Sequence, residues 1–224
     1  MRPARERLAI VGASGHGVTA LDAARMEDKY EIAGFIESNK PRGTEVAGLR
    51  VLGSVAEVAK AMAESEFETV LIGISDNWIR HQVWEQMRVA APDLKLASVI
   101  HPSATVADTA VLGEGALVLA GAVINPNCVV GENCIINTKA SLDHDSRMHS
   151  YSSLLPGATI AGNVEIGRYS CICAGAVVSH KVIIGEHVVL GAGAVALSDI
   201  PDGTLAYGTP AKAARQRSPG ERHF

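Results

Sequence analysis

Residues 140–152 read ASLDHDSRMHSYS, an imidazole set between two carboxylates: His144 lies between Asp143 and Asp145, with His149 five positions on. A neutral imidazole near pH 7 can take a proton from a nucleophile, and an adjacent carboxylate can orient or polarise its ring. Two histidines at this spacing can equally ligate a metal, although a catalytic zinc needs three protein ligands. The third reading is a pair of solvated imidazoles on a turn, because a titratable residue alone is weak evidence of function. The elements that hold these side chains decide between them.

Stepping in sixes from Ile100 meets Val106, Leu112, Val118, Ile124, Val130, Ile136, Leu142, Met148, Leu154, Ile160, Ile166, Ile172, Val178, Ile184 and Leu190, sixteen apolar residues without a break. Four positions after each comes a compact residue such as Ala104, Cys128, Cys134, Ser146 or Ser170. A six-residue period held over so long a stretch is the signature of a parallel β-helix, each hexapeptide being a short strand and a corner. The aliphatic residue points inward and the compact one fits the corner. Cys128 and Cys134 occupy the corner slot and read as small hydrophobes.

Just before the inward residues, Val111, Leu117, Val129, Val177 and Val189 point outward and need a cover, from another domain or another subunit. At the same slot Ser141, Arg147, Ser153, Thr159 and Glu165 are polar. This suggests an uncovered band at His144, a solvent-accessible cleft beside a subunit contact.

Residues 1–98 have a different grammar. RLAIV (7–11), EIAGFIE (31–37), ETVLIGI (68–74) and KLASVI (95–100) read as strands, with helices after Gly17 and over 77–90. Strands alternating with helices imply a small Rossmann-like parallel α/β domain. The expected organisation is thus an α/β domain over 1–98, a β-helix over 99–200 and a tail over 201–224. The chain has 47% hydrophobic but only 4% aromatic residues, with 22 glycines, which suits many short strands. A formal charge of −4 leaves no electrostatic footprint for nucleic acid. Four cysteines without a CxxC pair and a short apolar run at the N-terminus point to a reduced, soluble, cytoplasmic protein with no membrane partner.

Between the first strand and helix, GASGHG places Gly12, Gly15 and Gly17 in a GxxGxG spacing that does not fit the NAD fingerprint. A glycine-rich turn there still offers backbone N–H groups and a positive helix end to phosphate.

Four stretches together, VGASGHG (11–17), IHPSA (100–104), INTKASLDHD (136–145) running into PGATIAGNVEIG (156–167), and GTPAK (208–212), resemble the left-handed β-helix acyltransferases. Within them the chain is similar to the sugar acetyltransferases grouped with sialic acid O-acetyltransferase, which include N-acetyltransferases of nucleotide-linked amino sugars such as UDP-4-amino-sugars and GDP-perosamine. The resemblance implies a left-handed coil of three hexapeptides and a homotrimer with acetyl-CoA lying between adjacent subunits. It makes His144 the general base, with Asp145 orienting it and Asp143 a competitor for that role. Gly12, Ser14, Gly15 and His16, with Glu37 and Ser38, would hold the nucleotide sugar. Gly162, Ala174, Ala192 and Gly193 would contact the pantetheine arm, Lys212 the CoA phosphate, and the amide near Gly162 the oxyanion. The acceptor amine would belong to a 4-amino-4,6-dideoxy sugar, with a sialic acid hydroxyl as the near alternative.

With eighteen residues per coil, His144 falls two coils from His180, and a strand spacing of about 4.8 Å sets them roughly 10 Å apart. γ-Class carbonic anhydrases share this β-helix and bind zinc through histidines, but Asp108 stands where the third would be, so no metal is expected. The chain departs from its relatives at RMHS (147–150), and Ser153 replaces a second histidine that many carry before PGA, which places sugar contact at Ser153 or His149.

Overall fold

The computed structural model describes residues 5–64 and 67–222. It separates into two compact units, one ending at Ser75 and resuming over Ile79–Pro102, the other comprising Asp76–Trp78 and the chain from Ser103 onward.

In the first unit the elements run β1 (Arg7–Val11), α1 (Gly15–Glu27), β2 (Glu31–Ile36), β3 (Glu45–Val46), β4 (Leu49–Gly53), α2 (Val58–Ala63), β5 (Thr69–Ile72), α3 (Asn77–Ala90, whose first two residues belong to the second unit) and β6 (Lys95–Leu96). The sheet order is β3-β4-β2-β1-β5-β6, parallel except where β3 pairs antiparallel with β4. β1 lies centrally, and Leu8, Ala9, Ile10 and Val11 are buried on both faces, as expected of a strand covered by helices on either side. The β3–β4 hairpin and α2 are additions to the elements read from sequence. β3 has only two residues, the LRVLG of β4 breaks its alternation at Val51–Leu52, and α2 spans only 6 residues.

The turn after β1 depends on glycine for close approach. A Cβ on Gly17 would stand 1.9 Å from the carbonyl oxygen of Gly12, so α1 can start against the turn only if residue 17 has no side chain. Gly12 itself has φ 97°, in the region an L side chain rarely adopts.

The second unit is the β-helix. Each strand is two residues long and pairs in parallel with the residue eighteen positions on, for example Ser141 with Thr159 and Leu142 with Ile160. Three flat faces result. The first carries Leu117, Ile135, Ser153, Cys171 and Val189 outward; the second Thr105, Val123, Ser141, Thr159, Val177 and Val195; the third Val111, Val129, Arg147, Glu165 and Ile183. The inward residues from Val118 to Leu190 are all buried, whereas Ile100, Val106 and Leu112 are half-buried. Full burial of each such side chain contributes about 1.5–3 kcal/mol.

The compact corner residues do more than fit. Cys128 Sγ donates to the carbonyl of Asp143 at 3.0 Å, Ser146 Oγ to Ala161 at 3.1 Å, and Ser170 Oγ to Gly185 at 2.6 Å. Each thus ties its corner to the next coil. The chain closes with strands Thr204–Gly208 and Ala211–Gln216, whose Leu205 packs on Val189, Cys171 and Cys173.

The polar residues Ser141, Arg147, Ser153, Thr159 and Glu165 do not share a face; they form a belt around all three, because consecutive hexapeptides turn through consecutive faces. Of the outward aliphatics, Leu117 and Val189 are buried, while Val111, Val177 and Ile183 remain exposed.

Candidate active site

His144 sits on the corner between the second and third faces, in the four-residue bend Asp143–Ser146. Asp145 has φ 57°, and this left-handed turn folds its carboxylate back onto the preceding ring: Oδ2 lies 2.7 Å from His144 Nδ1. Asp143 is otherwise engaged. Its Oδ1 accepts the backbone N–H of His144 at 2.8 Å and the amide of Asn125 at 2.8 Å. The geometry therefore gives the ring to Asp145 and the backbone to Asp143.

Asparagines one coil earlier hold both carboxylates, Asn127 Nδ2 donating to Asp145 Oδ1 at 3.0 Å. Asn125 and Asn127 stand eighteen positions before the two aspartates, and that spacing is the sequence signal that points to them.

The bond from Asp145 raises the pKa of His144 above its ordinary imidazole value, outweighing an opposing desolvation, and the charges of Asp143 and Asp145 add lesser upward contributions. Asp145 is held below the usual carboxylate range by the same bond and by Asn127. With Nδ1 facing a carboxylate, the proton belongs on Nδ1 and the lone pair on Nε2. Among the described residues Nε2 has no hydrogen-bond partner, and it faces Gly162, whose added Cβ would meet it at 2.6 Å. Glycine one coil on is what allows the ring to lie over the corner.

The same absence of a side chain changes the relation to His180. The backbone steps are two coils, but the rings lean together across Gly162 and their centroids are 6.4 Å apart, closer than the strand spacing alone suggested. His180 also contributes to depressing Asp143, after the bonds from His144 and Asn125. Continuing along this corner, Ser198 follows His180 by eighteen residues and lines a cleft of about 470 Å³ with Leu197, Asp199, Pro210 and Lys212. Gly162 and Lys212 thus flank one edge of the β-helix. Ala174, Ala192 and Gly193 lie exposed on a different corner, between the first and second faces.

His149 is on the third corner, where its Nε2 pairs with Glu165 Oε1 at 2.7 Å beside a separate cleft of about 270 Å³. It does not join His144. Ser153 is 0% exposed, and its hydroxyl donates to Asn77 Oδ1 at 2.5 Å. The Asn77 amide in turn donates to the carbonyls of Tyr169 and Ser170 at 3.1 and 3.0 Å. The expected sugar contact at Ser153 is therefore replaced by a structural bond, since a buried hydroxyl already engaged has nothing to offer a ligand. Among the described residues no group of three or more His, Cys, Asp or Glu side chains could hold a metal ion, and no helix is long and apolar enough to cross a membrane.

In the first unit, Gly12, Ser14, Gly15 and His16 form the turn and first helical turn at the carboxyl end of β1, and the Ser14 side chain makes no capping bond. Glu37 braces this turn: its two oxygens accept the N–H groups of Ala13 at 2.9 Å and Asn39 at 2.8 Å. Burial pushes the Glu37 carboxyl up, but these bonds, with Lys40, outweigh it and the net shift is downward. Both oxygens having a backbone partner, Glu37 shapes the loop more than it reaches a ligand. His16 is pushed down to about 4 by burial and by the Arg80 charge, so its ring is neutral at physiological pH. Phosphate would be met there by backbone N–H groups rather than by an imidazolium. Ser38 lines a cleft of about 440 Å³ with Asn39, Lys40, Arg42, Ser54 and Glu57 at the carboxyl end of β2. The two cations were not singled out in the sequence; their position directly after a strand is the signal.

Residues 7–87 match the PglD N-terminal domain, and residues 109–143 and 145–180 the bacterial transferase hexapeptide family of six repeats. GDP-perosamine N-acetyltransferase from Caulobacter crescentus, solved with CoA and GDP-perosamine in a form with one histidine changed to alanine, is 32% identical. The match covers 93% of this chain and 97% of that one, with a TM-score of 0.86. The acetyltransferase domain of PglB from Neisseria gonorrhoeae, solved with acetyl coenzyme A, is 35% identical over 93% of this chain and 99% of that one, TM-score 0.85. WeeI from Acinetobacter baumannii, at 22% identity, 92% and 98% coverage and a TM-score of 0.75, shares the fold. An α/β unit of the PglD type, an eighteen-residue coil and identity of this order along nearly the whole chain make it an acyltransferase, a member of the left-handed β-helix family of nucleotide-amino-sugar acetyltransferases.

Proposed function

We propose that the protein transfers an acetyl group from acetyl-CoA to the amine of a nucleotide-linked amino sugar of the 4-amino-4,6-dideoxy type, with His144 as general base. The observation that carries this is the His144–Asp145 pair, with Nδ1 on a carboxylate and Nε2 unpartnered over Gly162. Such a ring accepts a proton at Nε2 as the amine attacks, and Asp145 stabilises the imidazolium that forms. Acetyl-CoA supplies a thioester carbonyl, and the residues present suit a long, narrow arm: small corners at Gly162, Ala174, Ala192 and Gly193, and Lys212 at a cleft for phosphate. A backbone N–H near Gly162 is the candidate for the oxyanion.

Gly162 and the Ala174–Gly193 corner lie on different edges of one chain, so an arm touching both would run between two copies. That favours the homotrimer, as do the exposed Val111, Val177 and Ile183. The nucleotide would sit at the turn of Gly12 to His16 and the Ser38 cleft, where Lys40 and Arg42 suit phosphate. The two crystallised relatives, one holding CoA with a GDP-sugar and the other acetyl-CoA, support both ligands. Four buried free cysteines fit a cytoplasmic setting.

The test is thiol release from acetyl-CoA against UDP-, GDP- and dTDP-linked 4-amino sugars, with wild type and His144→Ala. Turnover on one of them that drops by at least a hundredfold in the variant is expected. Wild-type turnover in His144→Ala would remove the base, and silence across the panel would remove the acceptor class.

A further inference from the structure

We propose that Asn127 is a positioning residue for the reaction, fixing the tautomer of His144 through Asp145. The proposal rests on His144 as base and adds a residue outside the reacting pair. Thr109, Asn127 and Asp145 occupy the same place in three successive coils. Thr109 Oγ1 accepts the backbone N–H of Asn127 at 3.0 Å, Asn127 Nδ2 donates to Asp145 Oδ1 at 3.0 Å, and Asp145 Oδ2 reaches His144 Nδ1 at 2.7 Å. An ionised carboxylate only accepts, so the atom of Asn127 facing it must be the amide nitrogen. That donor occupies one carboxylate oxygen and leaves the other for the ring N–H.

The need for such a brace follows from exposure. The Asp145 side chain is 45% exposed, and within its own corner it is the bond to the His144 ring that opposes its turning to water. Without Asn127 the ring would lose the partner that keeps its proton on Nδ1, and the tautomer with a protonated Nε2 cannot accept a proton from an amine. Asn125 makes a parallel bond, but to Asp143, which holds the backbone of His144 and not its ring. Residue 127 also has φ 62°, a conformation that Asn, Asp and Gly adopt more readily than others.

That conformation dictates the variants. Asn127→Gly removes the side chain at a backbone angle glycine accepts, and Asn127→Asp keeps shape and angle while replacing the donor by an acceptor. In full-length protein labelled with 15N-histidine, the ring shifts of His144, assigned by their loss in His144→Ala, report the tautomer without reference to turnover. The charged or titratable groups around the ring are Asp143 and Asp145 on its own corner and His180 two coils on.

Wild type should hold a single tautomer protonated at Nδ1; in both variants that tautomer should become the minor form, about a tenth of the population. With them kcat should fall about tenfold while KM for acetyl-CoA changes less than about twofold. In Asn127→Asp the added carboxylate should move the acid limb of kcat/KM to higher pH. An unchanged tautomer in both variants overturns the proposal. Such a minor population with wild-type kcat leaves Asn127 as the brace and overturns instead the role of His144 as base.

Discussion

At the level of single residues, the His144–Asp145 pair makes a directional statement about pH. A base must be deprotonated to act, so kcat/KM should rise as pH passes upward through the pKa of His144 and be lost below it. Asp145 raises that pKa first through its hydrogen bond, so the wild-type acid limb should lie above the ordinary imidazole value of 6.5. In Asp145→Asn the limb should move down and the plateau should fall by about tenfold or more. A limb that stays in place would assign it to another group. An imidazole between carboxylates on a hexapeptide corner singles out His144 in a chain otherwise built of small aliphatics, but the residue types alone left base, metal ligand and solvated turn open, and the role of base comes from the family resemblance. What could not be read was which aspartate holds the ring, since that depends on a left-handed turn at residue 145 and on two asparagines eighteen positions away in the chain. Ser153 was misplaced for a related reason: its slot in the repeat is clear, but its partner, Asn77, belongs to no repeat.

At the level of elements, the β-helix was open to reading because its period is carried by composition alone, and a strand of two residues needs nothing else to be recognised. The β3–β4 hairpin has no repeat to announce it, and the alternation in LRVLG breaks before it can show a strand. On the first face, Asn77 is the polar group to test. It is buried and joins Ser153 to the carbonyls of Tyr169 and Ser170. Asn77→Ala would remove the bond from the Ser153 hydroxyl and two bonds to interior carbonyls, lowering stability by about 1–3 kcal/mol in denaturant unfolding. No loss would show that water replaces the amide. Close by, Tyr151, Tyr169 and His187 stack along the third corner at 5.7 and 4.8 Å between centroids, with Trp78 against Tyr169 at 5.2 Å. Indole fluorescence should report unfolding of this region directly.

At the level of the whole molecule, the exposed aliphatics set the expectation for assembly. Ile183 is 50% exposed and Val111 60%, both on the third face that borders the His144 corner. Light scattering should give three times the mass of one chain, and Ile183→Arg should yield a smaller species with little activity. A fully active monomer would mean that one chain completes the site by itself. The coil also imposes a constraint that no single coil displays. Asn127 and Asp145, like His144, Gly162 and His180, share an address only modulo eighteen, and side chains alternate between inside and outside from one residue to the next. The β-helix therefore behaves as a second reading frame laid over the genetic one. Losing or gaining one residue in a strand between Asn127 and His180 would turn the aliphatics outward and scatter the column, whereas duplicating a whole turn would preserve both.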